Sequence, residues 1–235
     1  MRCPQCKKEG ESNREDTELT CAFCGYQWSL TIPQNIPVPH PSGCSSASEH
    51  FDHFLFLDFE TTGDPDQKPL EVGWMLTDRF LEPLMECQSR VIRQDRLNMN
   101  DKILKMHTKN GLLDEVVDSV LSTSLVENII CDSIQPIARD KTARIIIAGF
   151  TVHFDRDIIH RDMPQLDSWL HYRHFDVSTL RAAYHHWVEK IPSKRDQHPH
   201  RVKADVLASW EIARTFKRMF EHHMPKGLLD QGVIL

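Results

Sequence analysis

Apolar positions along the chain fall into two kinds of pattern: short dense runs, and longer stretches where they recur every three or four residues. Residues 54–63, "FLFLDFETTG", belong to the first kind and predict a buried strand, yet they carry two carboxylates, Asp58 and Glu60, one residue apart. "HFLFLDFETT", "LEVGWMLTD" and "CQSRVIRQ" predict three consecutive strands. Helical spacing follows through about 100–140, with "STSLVENIICDSI" opening on a Ser or Thr cap. "ARIIIAGF" is then a short β-branched strand, "DRDIIHRDMPQLDSWL" a helix and "HYRHFDV" a strand. "STLRAAYHHW" predicts a helix capped by Ser178, and "VKADVLASWEIARTFKRMF" the long amphipathic helix near the end. Strands and helices in this order imply an α/β domain, a mixed sheet flanked by helices, over residues 51–235.

The first fifty residues read differently. Residues 29–50 hold four prolines and a serine-rich end without periodicity, so they predict a linker. Ahead of them, residues 1–28 contain two CxxC knuckles with fourteen residues between Cys6 and Cys21, and they resemble a zinc ribbon. Each knuckle offers two thiolates. Cys3, Cys6, Cys21 and Cys24 together satisfy one tetrahedral Zn²⁺ with no open position, which makes the site structural. So short a segment cannot bury enough surface to fold alone, and the metal would supply most of its folding free energy. The ribbon could dock to a protein, contact nucleic acid or cap the fold.

Composition bounds the rest. With 40% hydrophobic and 26% charged residues among 235, the chain can build one well-cored domain plus something small. A net charge of −6 does not advertise a nucleic-acid binder, so a phosphate-bearing ligand needs local basic groups or cations to offset the chain's field. No apolar run approaches the ~20 residues of a membrane span, and "MRCPQCKKEG" has no signal-peptide core, so a cytoplasmic protein is expected. Three scattered cysteines, Cys44, Cys87 and Cys131, read as inert, and the odd total of seven argues against a disulfide framework.

Residues i and i+2 of a strand share a face, so Asp58 and Glu60 point the same way. Alone, such a D-x-E reads as two solvated acids past the strand's end. Two other stretches change that reading. "GFTVHFDRD" follows a second buried strand and places Asp155 at a helix start; "HRVKAD" places His200 before, and Asp205 within, the first turns of the last helix. Carboxylates brought this close repel unless something neutralises them.

The order D-x-E, distal Asp, H-x₄-D resembles the histidine subclass of the DEDD exonucleases, whose fold is RNase H-like. Within that superfamily, "LDFETTG", "KMHTKNGLLDEV", "MPQLDSWLHYRHFDVSTLRAAYHHW" and "HRVKAD" are most similar to the oligoribonuclease family, over most of residues 54–215. The resemblance implies a 3′→5′ exoribonuclease acting on short single-stranded RNA, with Asp58, Glu60, Asp155 and Asp205 as ligands to Mg²⁺ or Mn²⁺ and His200 as general base. It also implies a homodimer in which Tyr172 reaches the other chain's site, and a cap of Thr151, Arg173, Ser178 and Thr179 around a terminal 5′ phosphate. Asp157 reads as a surface charge on its helix, and Asp176 as structural support.

Two positions depart from the family pattern. Phe150 stands where the family has Asn, and Asp64 where it has a Leu that wedges against a base. Both changes bear on substrate contacts rather than on the metal ligands. Two other functions compete: a DNA 3′→5′ exonuclease of the same superfamily, and a catalytically silent zinc-ribbon adaptor. The five catalytic residue types argue against the adaptor, because a binding module has no use for four acids beside a phosphate.

Overall fold

In a computed structural model of the chain, residues 18–20, 27–29, 51–63, 67–138, 144–188 and 201–223 are described. The chain divides into two compact units, Met1–Ser48 and Glu49–Leu235. In the first, β1 (Glu18–Thr20) pairs antiparallel with β2 (Gln27–Ser29). Cys3, Cys6, Cys21 and Cys24, assigned above to zinc, lie outside the described residues, as do Asp64 and His200.

The second unit is built on a five-stranded sheet of order β5-β4-β3-β6-β7. β3 (His53–Thr61), β4 (Pro69–Asp78) and β5 (Gln88–Val91) form an antiparallel meander. β6 (Ile145–Gly149) runs parallel to β3, and β7 (Leu170–Asp176) parallel to β6. Between β5 and β6 lie α1 (Asp101–Lys109), α2 (Leu112–Asp118) and α3 (Thr123–Ala138); α4 (His153–Asp162) and α5 (Pro164–Trp169) connect β6 to β7; α6 (Val177–Trp187) and α7 (Val202–His223) complete it.

Strand periodicity sorts the core into two layers. On one face, Leu55, Leu57, Phe59, Trp74 and Leu76 pack with Ile130 and Ile134 of α3, Ile158 of α4 and Leu166 of α5. On the other, Phe56, Met75 and Ala148 pack with Val177 of α6 and with Val206 and Ala213 of α7. Asp58 and Glu60 continue the alternation that places Phe56 on the α7 side. Both acids therefore face the helix that carries Asp205.

Two local expectations need correction. The single helix predicted over "DRDIIHRDMPQLDSWL" is two helices, α4 and α5, with Met163 at φ −135° and ψ 64° between them. Pro164 explains the break: it offers no N–H to the preceding turn and disfavours the helical region for the residue before it. Nor is Ser178 the cap of α6. That helix begins at Val177, and its cap is Asp176, whose carboxylate accepts from the Ser178 N–H at 2.8 Å.

Candidate active site

The acidic cluster is assembled by one strand and one helix. Asp58, Glu60 and Asp205 each offer a carboxylate oxygen, and these lie within 4.8 Å of one another. Asp205 is buried at 7% exposure, in the first turn of α7. That helix can approach because the register partner of Asp58 on β4 is Gly73, and a Cβ there would stand 3.0 Å from Cβ and Cγ2 of Val202. A glycine opposite the first acid admits the helix bearing the third.

Asp155 stands beside this group. It is buried in the first turn of α4, and its Oδ1 accepts from the Phe59 N–H at 3.0 Å. The bond has a topological cause. β6 pairs with β3 only as far as Phe56, so the β3 backbone beyond it needs other partners. A carboxylate from the helix after β6 serves the residue between Asp58 and Glu60, and so fixes the strand that carries them.

Carboxylates this close repel. At about 5 Å and an effective dielectric of about 20, a pair of unit charges costs roughly 3 kcal/mol. A divalent cation reverses the sign of that interaction. The donor set is all oxygen, which suits Mg²⁺, Mn²⁺ or Ca²⁺ better than a thiophilic metal. Among the described residues, Asp58, Glu60 and Asp205 thus fit a divalent cation, with Asp155 adjoining.

Sequence reasoning gave no role to His107, which the structure places here. It is the one buried residue of α1, and its Nε2 lies 3.0 Å from the Thr61 carbonyl and 3.9 Å from Glu60 Oε2. The contact with a carbonyl makes Nε2 the protonated nitrogen, donating to the end of β3. Gly63 completes the turn there at φ +74°, and its missing side chain leaves room for Ile103 of α1. The available signal was its place in "KMHTKNGLLDEV", one of the stretches similar to the oligoribonuclease family.

The residues expected to cap a phosphate divide. Thr151 and Ser178 come together: the Thr151 N–H lies 2.8 Å from Ser178 Oγ and 3.1 Å from Asp176 Oδ1, and the two hydroxyls are 3.1 Å apart. Thr151 holds φ at +54°, a costly conformation for a β-branched residue, and the shared N–H sustains it. Asp176 supports the cluster, in keeping with its expected structural role. Thr179 and Arg173 are exposed, and the Arg173 guanidinium sits 5.8 Å from the centre of the Tyr172 ring. Tyr172 is 71% exposed on β7, an edge strand of the sheet. Phe150, the departure from the family's Asn, is buried in the core beside Val177 and Val206.

Asp157 is exposed on α4, as expected. Cys87 and Cys131 are buried, and burial pushes their thiols up to about 11 and about 12, which leaves little thiolate at neutral pH. No described helix is long and apolar enough to cross a membrane.

A mixed sheet with clustered acids at the end of its central strand defines a class: a metal-assisted nuclease of the mixed α/β exonuclease fold. The exonuclease (RNase_T) family model matches residues 55–213. Solved structures share the fold: exonuclease I from Methylocaldum szegediense at a TM-score of 0.51 and 18% identity, and an exonuclease I in complex with an inhibitor at 0.52 and 20%. The matches cover 74% of this chain but only 41% and 44% of those longer chains. Among curated proteins, the chain is 34% identical over 178 residues to the oligoribonuclease of Mycobacterium leprae, covering 71% of this chain and 80% of that one. It is 33% identical to that of Chromobacterium violaceum (72% and 95%), and 32% to a probable oligoribonuclease of Dictyostelium discoideum (72% and 91%). The chain belongs to the oligoribonuclease family, and it is a nuclease.

Proposed function

We propose that this enzyme is a two-metal-dependent 3′→5′ exoribonuclease that degrades short RNA, dinucleotides included, to 5′-mononucleotides. The observation that carries the reading is the convergence of Asp58, Glu60 and Asp205 within 4.8 Å, on one sheet face. Asp58, Glu60, Asp155 and Asp205 hold Mg²⁺ or Mn²⁺. Bound there, such ions supply Lewis acidity toward water and the phosphodiester. His200 takes the proton from the attacking water, a task for a side chain titrating near neutrality.

Thr151, Arg173, Ser178 and Thr179 receive the 5′ phosphate. Supporting this, Thr151 and Ser178 are in contact beside the first turn of α6, where helix N–H groups and the positive end of the dipole favour an anion. Arg173 is exposed next to that cluster in sequence and offers a guanidinium fork. The protein acts as a homodimer, with Tyr172 stacking in the partner chain's site; its exposure on an edge strand supports that role. Cys3, Cys6, Cys21 and Cys24 bind one structural Zn²⁺, and β1 and β2 flank the stretch that holds Cys21 and Cys24. The ribbon engages a protein or nucleic acid, and the enzyme works in the cytoplasm.

The test compares initial rates on a 5′-phosphorylated RNA dinucleotide, an RNA of roughly twenty nucleotides and their DNA counterparts, with Mg²⁺ or Mn²⁺, because a closed phosphate cap leaves no path for a longer strand. The dinucleotide is cleaved fastest. Faster cleavage of the DNA substrates would replace this reading by that of a DNA exonuclease. Elemental analysis of protein purified without chelators gives one zinc per chain, and its absence removes the ribbon.

A further inference from the structure

Glu71 faces Glu60 directly across β3 and β4, and it is only 2% exposed. Like charges in register across a sheet are unfavourable, and a buried carboxylate without a partner is more so. Arg201 resolves both. Its Nε and one terminal nitrogen donate to the two oxygens of Glu71 at 2.8 and 3.0 Å, a bidentate fork. The same terminal nitrogen and the other donate to the two oxygens of Glu115, on α2, at 2.8 Å each. The hydrogen bonds to Glu71, then those to Glu115, hold the guanidinium above its usual range, so it is charged at every working pH.

The backbone of Arg201 is equally committed. It immediately precedes α7, and its carbonyl accepts from the N–H groups of Ala204 at 3.0 Å and Asp205 at 3.3 Å. One residue therefore ties β4 and α2, through its side chain, to the first turn of the helix that bears an acid of the cluster. Lysine cannot reproduce this, since a single ammonium does not form two planar forks at once.

We infer that Arg201 is a positioning residue for the divalent-cation site, holding the first turn of α7, and with it Asp205, in place through Glu71 and Glu115. The inference rests on the proposed metal-dependent activity but is read out separately. A purely structural ion pair would have no effect on the cation beyond its effect on stability. A positioning residue has both.

The experiment measures Mn²⁺ binding by titration calorimetry, melting temperature, and kcat and KM on a 5′-phosphorylated dinucleotide, for the full chain and three variants. Arg201→Met leaves the Glu71 charge buried and alone, so it loses stability. The double variant Glu71→Gln, Arg201→Met removes both charges and recovers most of the melting temperature. In it Mn²⁺ affinity and kcat stay down by roughly 10–100-fold, the range typical for residues that orient metal ligands, while KM at saturating Mn²⁺ changes little. Arg201→Lys gives an intermediate loss. Recovery of Mn²⁺ affinity together with stability in the double variant would overturn the inference, whatever the substrate. If the wild type binds Mn²⁺ but cleaves no RNA, the proposed function fails, and the binding isotherms still decide the role of Arg201.

Discussion

At the end of β3, Asp58 and Glu60 share a face with Asp205, three carboxylates with their oxygens within 4.8 Å. At the C-terminal ends of β6 and β7, Thr151, Asp176 and Ser178 form a second cluster in which backbone N–H groups and hydroxyls converge on one carboxylate and one another. Both stand at the C-terminal ends of the parallel strands, where open α/β sheets place their ligands. Their chemistry is opposite. The first concentrates negative charge and is suited to cations; the second gathers hydroxyls and N–H groups at a helix start, around the one carboxylate, Asp176, that accepts from them. Under the proposed function a short nucleotide chain would use both, its scissile phosphate at the first and its terminal phosphate at the second. Turnover should depend on the first cluster, and choice of substrate length on the second.

The largest expected effect breaks the first cluster alone. Asp58→Ala or Asp205→Ala removes a carboxylate oxygen from the cation site and also relieves repulsion, so the fold is retained. Hydrolysis falls to the level of a protein-free control on every substrate length, and EDTA does the same to the wild type. Product analysis on denaturing gels, alongside melting curves, checks this. Substantial turnover by Asp58→Ala would remove that acid from the site.

Ser178→Ala should separate the two clusters. It deletes a hydroxyl that contacts Thr151 from two directions, at 2.8 and 3.1 Å, but leaves the Asp176 cap of α6 intact. A hydrogen bond to a charged group contributes about 1.5–3 kcal/mol, or roughly ten- to a hundredfold. The rate on a 5′-phosphorylated dinucleotide falls by about tenfold, at the lower end of that range because the α6 N–H groups remain. The rate on an RNA of roughly twenty nucleotides, which does not place its 5′ end in a closed cap, stays within about twofold of wild type. Equal losses on both substrates would mean that the second cluster only supports the first.

Much of this was legible because strand periodicity fixes facing. Once "FLFLDFETTG" is a strand, Asp58 and Glu60 must lie with Phe56, and the structure finds α7 packed on that side. What failed was local. The chain's own backbone decided between Ser178 and Asp176 as cap, and both are good capping residues by type. Pro164 was visible in the helix "DRDIIHRDMPQLDSWL" and should have broken it. His107, Glu71 and Arg201 were out of reach for another reason. Their roles depend on contacts across 46 positions for His107 with Thr61 and 130 for Arg201 with Glu71, and no local pattern encodes such pairs.

The smallest expected effect tests how α7 comes to serve the first cluster. Gly73 carries no charge and no side chain; its contribution is the room it leaves for α7. A methyl there would lie 3.0 Å from Cβ and Cγ2 of Val202 and 3.1 Å from its carbonyl carbon. The carbonyl carbon belongs to the helix backbone, so a rotamer change cannot clear all three contacts and the first turn of α7 must move by a few tenths of an ångström. Overpacking of this kind costs about 1–3 kcal/mol in stability. Asp205 lies three residues further along in the same first turn and shifts with it, away from Asp58. Misplacement by about 1 Å can cost a hundredfold in rate, so this smaller shift lowers kcat by roughly three- to tenfold in Gly73→Ala. The ratio of rates on the dinucleotide and the longer RNA stays as in wild type, because Thr151 and Ser178 are positioned by β6, β7 and α6. Kinetics on both substrates, with a melting curve for each protein, decide it. A stability loss without any change in kcat would mean that Asp205 tolerates displacement of its helix, and that the close approach at Gly73 serves packing alone.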